Sequence, residues 1–181
     1  MKRHLPLILI LMVSLTSASA VATPGPSKER RQIELLLSGY EFTPDRNALE
    51  RASDAPLGVL FEIADDPAVT PHLRSAALHA MIHYANADVW KRYMHALEGS
   101  WVVPAPSDTH VVLLTIPKGF PNASKDLLVL YLGHPDEQVR MTAAHALGKL
   151  DLPEVAEVIL AQADREQDKV VRQYMEEQIG R

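Results

Sequence analysis

Histidine is the residue type in this chain best suited to chemistry, and three of its eight histidines share one helical stripe. His72, His79 and His83 fall at i, i+7 and i+11, on one face of a 3.6-residue helix. His79 and His83, four apart, have the spacing of a helical zinc pair. Two features argue against that chemistry. A zinc-protease helix carries Glu directly after its first His, and Ala80 stands there. No carboxylate shares the stripe to complete a ligand set. His72, His79 and His83 are therefore the candidate metal ligands, weighed against three helical histidines that face solvent and hold nothing. Other catalytic patterns are missing. There is no Gly-x-Ser-x-Gly turn, no glycine-rich phosphate loop and no cysteine. Glu176-Glu177 and the Glu154/Glu157 pair read as solvated faces. No catalytic residue and no cofactor are expected.

The elements that would position these side chains repeat. Leu127 to Leu150 reads as a short apolar helix, a tight turn at Gly133-His134-Pro135-Asp136, and an Ala-rich second helix. Val139, Ala143, Ala146, Leu147 and Leu150 form its apolar stripe, with Gln138, Met141, His145 and Lys149 on the other face. The stripe recurs 66 residues earlier as Leu73, Ala77, Ala80, Met81 and Tyr84, and His79 recurs for His145. It recurs again 32 residues later, as Val171, Met175 and Ile179, where Gln178 breaks it and predicts a terminal face turned to water. Self-similar helix pairs at this spacing predict a stacked solenoid, because one such pair cannot bury its own apolar face.

In all three units an arginine follows the first stripe position: Arg74, Arg140 and Arg172. They could line up as anion contacts. The preferred expectation is an inter-repeat ladder of hydrogen bonds to carbonyls or to the turn acids Asp66, Asp136 and Asp168 of adjacent units. His79, His83, His145 and Lys149, placed outward, are the candidates for a partner-binding surface.

At 134–148 (HPDEQVRMTAAHALG), 65–81 (DDPAVTPHLRSAALHAM) and 168–180 (DKVVRQYMEEQIG) the chain resembles the HEAT repeat family, in its short bacterial form also named after phycobilisome lyases. His134 stands where that family usually has Asp. The resemblance implies an all-α, right-handed α-α superhelix of about four to five stacked hairpins over 28–181. It implies a non-catalytic scaffold or adaptor that binds a protein partner of unknown identity. A metal-binding, lyase-like or hydroxylase-like relative is the alternative; the hydroxylase branch binds iron through His-Glu dipeptides, and this chain has none.

Residues 1–20 have the features of a signal peptide. Lys2 and Arg3 precede an apolar run from Leu5 to Val13, and Ala18-Ser19-Ala20 is a cleavage motif. Cleavage after Ala20 predicts an exported protein, periplasmic or secreted, of bacterial type. The apolar run is too short to span a bilayer comfortably, so no stable membrane insertion is expected after cleavage. Loss of Lys2 and Arg3 takes the formal charge from −5 to −7. An acidic domain without a basic stripe argues against nucleic acid as partner. A monomer is expected.

Residues 21–27 read as a linker, with Ser27 capping a helix that stops at Gly39. Thr43-Pro44 and Thr70-Pro71 read as helix starts. Helices are predicted over 56–64, 73–84 and 87–97, and another from Pro153. Residues 98–123 interrupt the rhythm with Pro104, Pro106, Pro117 and Pro121. They read as a degenerate repeat in which Ser107 caps a helix that Pro117 ends, in preference to a functional loop carrying Trp101. Asn122-Ala123-Ser124 matches a glycosylation sequon, but Ser124 reads as a helix cap.

Overall fold

A computed structural model describes residues 25–39, 44–150 and 152–180. The expected signal peptide, most of the linker, Thr43 and Arg181 lie outside them. Among the described residues the chain is all-helical: α1 (Lys28–Leu37), α2 (Arg46–Ala52), α3 (Pro56–Asp65), α4 (Pro71–Ala80), a 3₁₀ turn (Met81–Tyr84), α5 (Ala87–Ala96), α6 (Ser107–Gly119), α7 (Pro121–Tyr131), α8 (Glu137–Leu147), α9 (Val155–Ala163) and α10 (Lys169–Ile179).

The helices form an α-α superhelix. Each of α3, α5, α7 and α9 packs on the helix that follows it, making four hairpins. The second helices stack in a row, α4 on α6, α6 on α8, α8 on α10, and α1 packs on α2, α3 and α4 at the N-terminal end. The row is held by side chains at equivalent positions. Ala77, Leu78, Ala80 and Met81 of the first hairpin are buried. So are Val112, Leu113, Thr115 and Ile116 of α6, and Ala143, Ala144, Ala146 and Leu147 of α8. The small residues let neighbouring helices approach closely. At the end of the row Met175 and Gln178 of α10 close the set.

That register corrects the reading of 98–123. The 66-residue spacing spans two repeats, and α6 is the one between. It is a complete repeat helix, not a truncated one. Pro117 lies inside it and the helix continues to Gly119, at the cost of one backbone hydrogen bond. Ser107 is its first residue and Pro106 its N-cap, so Ser107 caps nothing. Phe120 ends α6 and precedes Pro121, the first residue of α7. Gly119 is required where α6 meets the 3₁₀ turn, because a Cβ there would collide with Ile82 Cδ1 and come within 3.0 Å of Ala85 Cβ. Residues 98–106 form a loop, which is described with the site below.

Other local expectations shift for physical reasons. Ser27 caps α1 by accepting from Arg30 N at 3.0 Å. Thr70 caps α4 by accepting from Leu73 N at 3.3 Å. The cap of α2 is Asp45, which accepts from Ala48 N at 2.7 Å, so the helix starts two residues later than Thr43-Pro44 predicts. Ser124 is buried within α7 and donates to Pro121 O at 3.1 Å, so it is not a cap. Helix α9 starts at Val155, after a turn at Pro153 and Glu154. Gln178 is only 6 % exposed. It accepts from His145 Nδ1 at 3.1 Å and donates to Tyr174 O at 3.3 Å, so it does not face water. Gly148 leaves room for it; a Cβ there would sit 3.3 Å from Gln178 Cβ.

The packing has a direct test. Ala143 is fully buried on the tightest row of the stack, whereas His145 is half-buried at its surface. Ala143→Glu places an unpaired charge in the core and should cost about 3–5 kcal/mol, enough to unfold a marginally stable domain. His145→Glu should shift a thermal melt by only a few degrees. Equal shifts for the two variants would show the helix faces to be assigned wrongly.

Candidate functional site

The histidines predicted as metal candidates do not converge. His79 is half-buried and its Nε2 lies 3.4 Å from Lys118 Nζ, which donates to it. His83 Nε2 bonds Pro44 O at 3.1 Å and so carries its proton there. His72 is half-buried near the start of α4. The stripe is therefore not a solvent-facing row, because neighbouring helices cover part of it. Among the described residues no group of three His, Cys, Asp or Glu side chains could hold a metal ion.

The arginines make specific contacts, and the acids involved differ from the expected turn acids. Arg140 forms a two-pronged pair with Glu166, Nε to Oε2 at 2.7 Å and Nη2 to Oε1 at 3.2 Å. Its Nη1 donates to His134 O at 2.9 Å. Arg172 donates through Nε to Glu166 O at 3.1 Å, the same relation one repeat later. Arg74 Nη1 lies 3.8 Å from Asp108 Oδ2, and Ser75 Oγ donates to the other oxygen at 2.7 Å. Asp66 instead pairs with Arg30 of α1. Asp136 accepts from Ala105 N and Gln138 N, and Asp168 caps α10. In α6 the corresponding positions are Asp108, where the other units have an apolar residue, and Thr109, where they have arginine. Thr109 is fully buried and its Oγ1 has no hydrogen-bond partner.

One turn position has a shared task. Asp66 Oδ1 accepts from Ala68 N at 2.8 Å, His134 Nδ1 from Asp136 N at 3.0 Å, and Glu166 Oε1 from Asp168 N at 3.0 Å. A neutral imidazole thus does the work of a carboxylate. Its other nitrogen, Nε2, donates to Ser100 O at 3.0 Å and ties down the 98–106 loop. Trp101 of that loop packs on His134 and Tyr131, with ring centroids 4.8 and 5.4 Å away, and Ser100 Oγ bonds the Tyr131 hydroxyl at 2.8 Å. The departure of His134 from the family pattern was the visible signal of this loop. The buried partners were not legible without the fold.

The outward side of the stacked second helices carries the candidate surface. Positions equivalent to His79 are Leu114 and His145, and positions equivalent to His83 are Lys118 and Lys149. His79, Leu114, His145, Lys118 and Lys149, with Val111, Thr115, Pro117 and Ala146, line a groove of about 450 Å³. A second hollow of about 290 Å³ shares Leu114 and His145 and extends past Met141 to Tyr174 of α10. His83 is not in the groove, whereas His79, His145 and Lys149 are. Sequence reading missed Lys118 and Leu114, because it took 98–123 for a degenerate repeat whose helix Pro117 ends.

The site is tuned electrostatically. Burial holds the His79 pKa below its ordinary value, and the charge on Lys118, then that on His83, lowers it further. Burial also lowers His110, with His134 acting the same way and Asp136 opposing. His110 Nδ1 donates to Thr142 Oγ1 at 2.9 Å, since that hydroxyl spends its own hydrogen on Gln138 O. Hydrogen bonds from the Asp168 backbone and from Arg140 outweigh burial and hold Glu166 below the usual carboxylate range.

Two predictions follow from these contacts. Arg140→Ala strands Glu166, whose side chain is 7 % exposed, and should cost about 3 kcal/mol in a denaturant melt. Arg74→Ala breaks a longer, wetter contact and should cost at most about 1 kcal/mol. For pH, His79 and His110 are held neutral in the fold while the unfolded chain protonates near 6.5. Their contribution is complete above that value and is lost as pH falls through the lowered folded values. The melting temperature should drop between pH 7 and 5, and His79→Gln with His110→Gln should flatten that drop.

Residues 112–180, from within α6 to the end of α10, match the family model for HEAT repeats. No curated protein and no solved structure matches the chain. HEAT repeats in general mediate contacts between proteins and are typically non-catalytic. Over 112–180, which holds most of α6 and all of α7 to α10, this chain is thus similar to HEAT repeats.

Proposed function

We propose that this chain is an exported, non-catalytic HEAT-repeat protein that acts as a scaffold or adaptor, binding a protein partner along the outward face of α4, α6, α8 and α10. One observation carries the reading: equivalent positions of three successive repeats bring His79, Leu114 and His145 to one groove, with Lys118 and Lys149 beside them. A stack of rigid helices presents such rows at a fixed pitch, which suits a broad partner surface better than a reaction centre. Two further features support it. Leu114, at the middle of the face, is 42 % exposed although it is apolar. Two lysines, Lys118 and Lys149, line the groove, and among the described residues no acid does. Export rests on the Lys2/Arg3, Leu5–Val13 and Ala18–Ala20 pattern.

Two measurements check the proposal. A photo-crosslinking residue placed at Leu114 or His145 should trap a discrete protein in the native cell envelope or medium, while one at the exposed Leu160 of α9 should not. Equal trapping at all three positions, or none, would end the assignment of this face. Amino-terminal sequencing of the mature protein should begin at Val21, and a protein retaining Met1 inside the cell would refute export.

A further inference from the structure

We propose that the groove over α4, α6 and α8 binds a small amphiphilic carboxylate of the fatty-acid class, head group at Lys118 and Lys149 and apolar tail along Leu114. This goes beyond the protein-binding reading and does not depend on it.

The shape of the groove supports the proposal first. Its volume, about 450 Å³, lies in the range of small-molecule sites. The adjoining 290 Å³ hollow shares Leu114 and His145 with it, so the two form one elongated trough. Along α8 the lining passes from Lys149 to Gln138, and across the stack it passes from His79 of α4 to Tyr174 of α10. Lys118 and Lys149 stand at the C-terminal ends of α6 and α8, and Met141, Thr142 and Gln138 lie toward the start of α8. From Gln138 to Lys149 the helical rise is roughly 16 Å. A chain-like molecule fits that form better than a compact one.

The lining then divides into a head and a tail region. Val111, Leu114, Pro117 and Ala146 make an apolar floor, extended by Met141. At one end stand two ammonium groups on adjacent helices, whose axes pack at roughly 8–10 Å. No carboxylate side chain lines either part of the trough among the described residues. Lys118 Nζ meets a neutral histidine, His79, in place of a counter-ion. Charges at the helix ends oppose an incoming anion, but only partly: two C-termini carry about −0.5 each, against a full positive charge on each lysine. The net field at that end is positive. The opposite end, lined by Gln138, Met141, Thr142 and Tyr174, has no full positive charge. An uncharged amphiphile would forgo the lysines, and a cationic one would be repelled by them.

The test uses the intact mature protein and three ligands of equal chain length, each below its micelle concentration: decanoate, decanol and decyltrimethylammonium. Isothermal titration should give saturable 1:1 binding of decanoate, at least tenfold tighter than decanol, with no binding of the cation. Lys118→Ala with Lys149→Ala should abolish that preference, leaving decanoate no tighter than decanol. Leu114→Glu should abolish binding altogether. Circular-dichroism melts of both variants should match the parent, since all three residues are exposed. Equal affinity for all three ligands, decanoate binding unchanged in the double lysine variant, or no saturable decanoate binding would each overturn the proposal. None of these results alters crosslinking to a protein partner at His145, which tests the other reading separately.

Discussion

Every hairpin in this molecule is incomplete without the next, and burial across that seam is the constraint on which the rest depends. The contact is made by short side chains at fixed positions: Ala77 and Ala80, Val112 and Thr115, Ala143 and Ala146. Small residues bring helix axes close, so the larger neighbours Leu78, Met81, Leu113, Ile116 and Leu147 fill the space between the two layers. Because each repeat touches only its neighbours, stability spreads along the stack as a sum of adjacent terms. A charge or an oversized side chain on the seam therefore disturbs two repeats at once. Gly119 and Gly148 mark places where the seam is too close for even a methyl group to enter freely.

Polar groups keep the register of that seam. The turn before each second helix needs an acceptor for the backbone N–H two residues on, and aspartate, histidine and glutamate all supply one. Arg140 and Arg172 then bond the carbonyl of that same turn residue, holding the helix start against the turn. Arg140 adds the carboxylate of the following repeat, Glu166, and so links two units. This pair is largely buried, which makes its loss costly and its partners mutually dependent. Where the pattern lapses, at Asp108 and Thr109, the adjoining loop is fastened instead by Asp136 and His134.

Such a frame leaves much of its outer face open, although His145 there still bonds Gln178. The side chains there repeat with the helices, so the stack converts a linear pattern into parallel rows of like position. One row is His79, Leu114 and His145, and beside it stand Lys118 and Lys149. The apolar trough between α6 and α8 exists because Pro117 and the small Ala146 leave it unfilled.

The fold class, the paired helices and the identity of the buried stripe at 139–150 were all legible in the amino-acid order, because period and composition carry them. Ser27 and Thr70 as caps were legible for the same reason: a cap acts within one turn of its own position. The role of α6 was not. Its stripe uses Val, Leu and Thr where the neighbours mostly use Ala, its arginine position holds Thr109, and Pro117 reads as a stop; only packing against α4 and α8 shows the degenerate repeat to hold a full-length helix. Nor could spacing alone say that Gln178 is buried, that Glu166 is the partner of Arg140, or that His79 and Lys118 share one groove. Those facts depend on which surfaces meet across the stack, and residues 26 to 39 positions apart become neighbours only once the helices have packed.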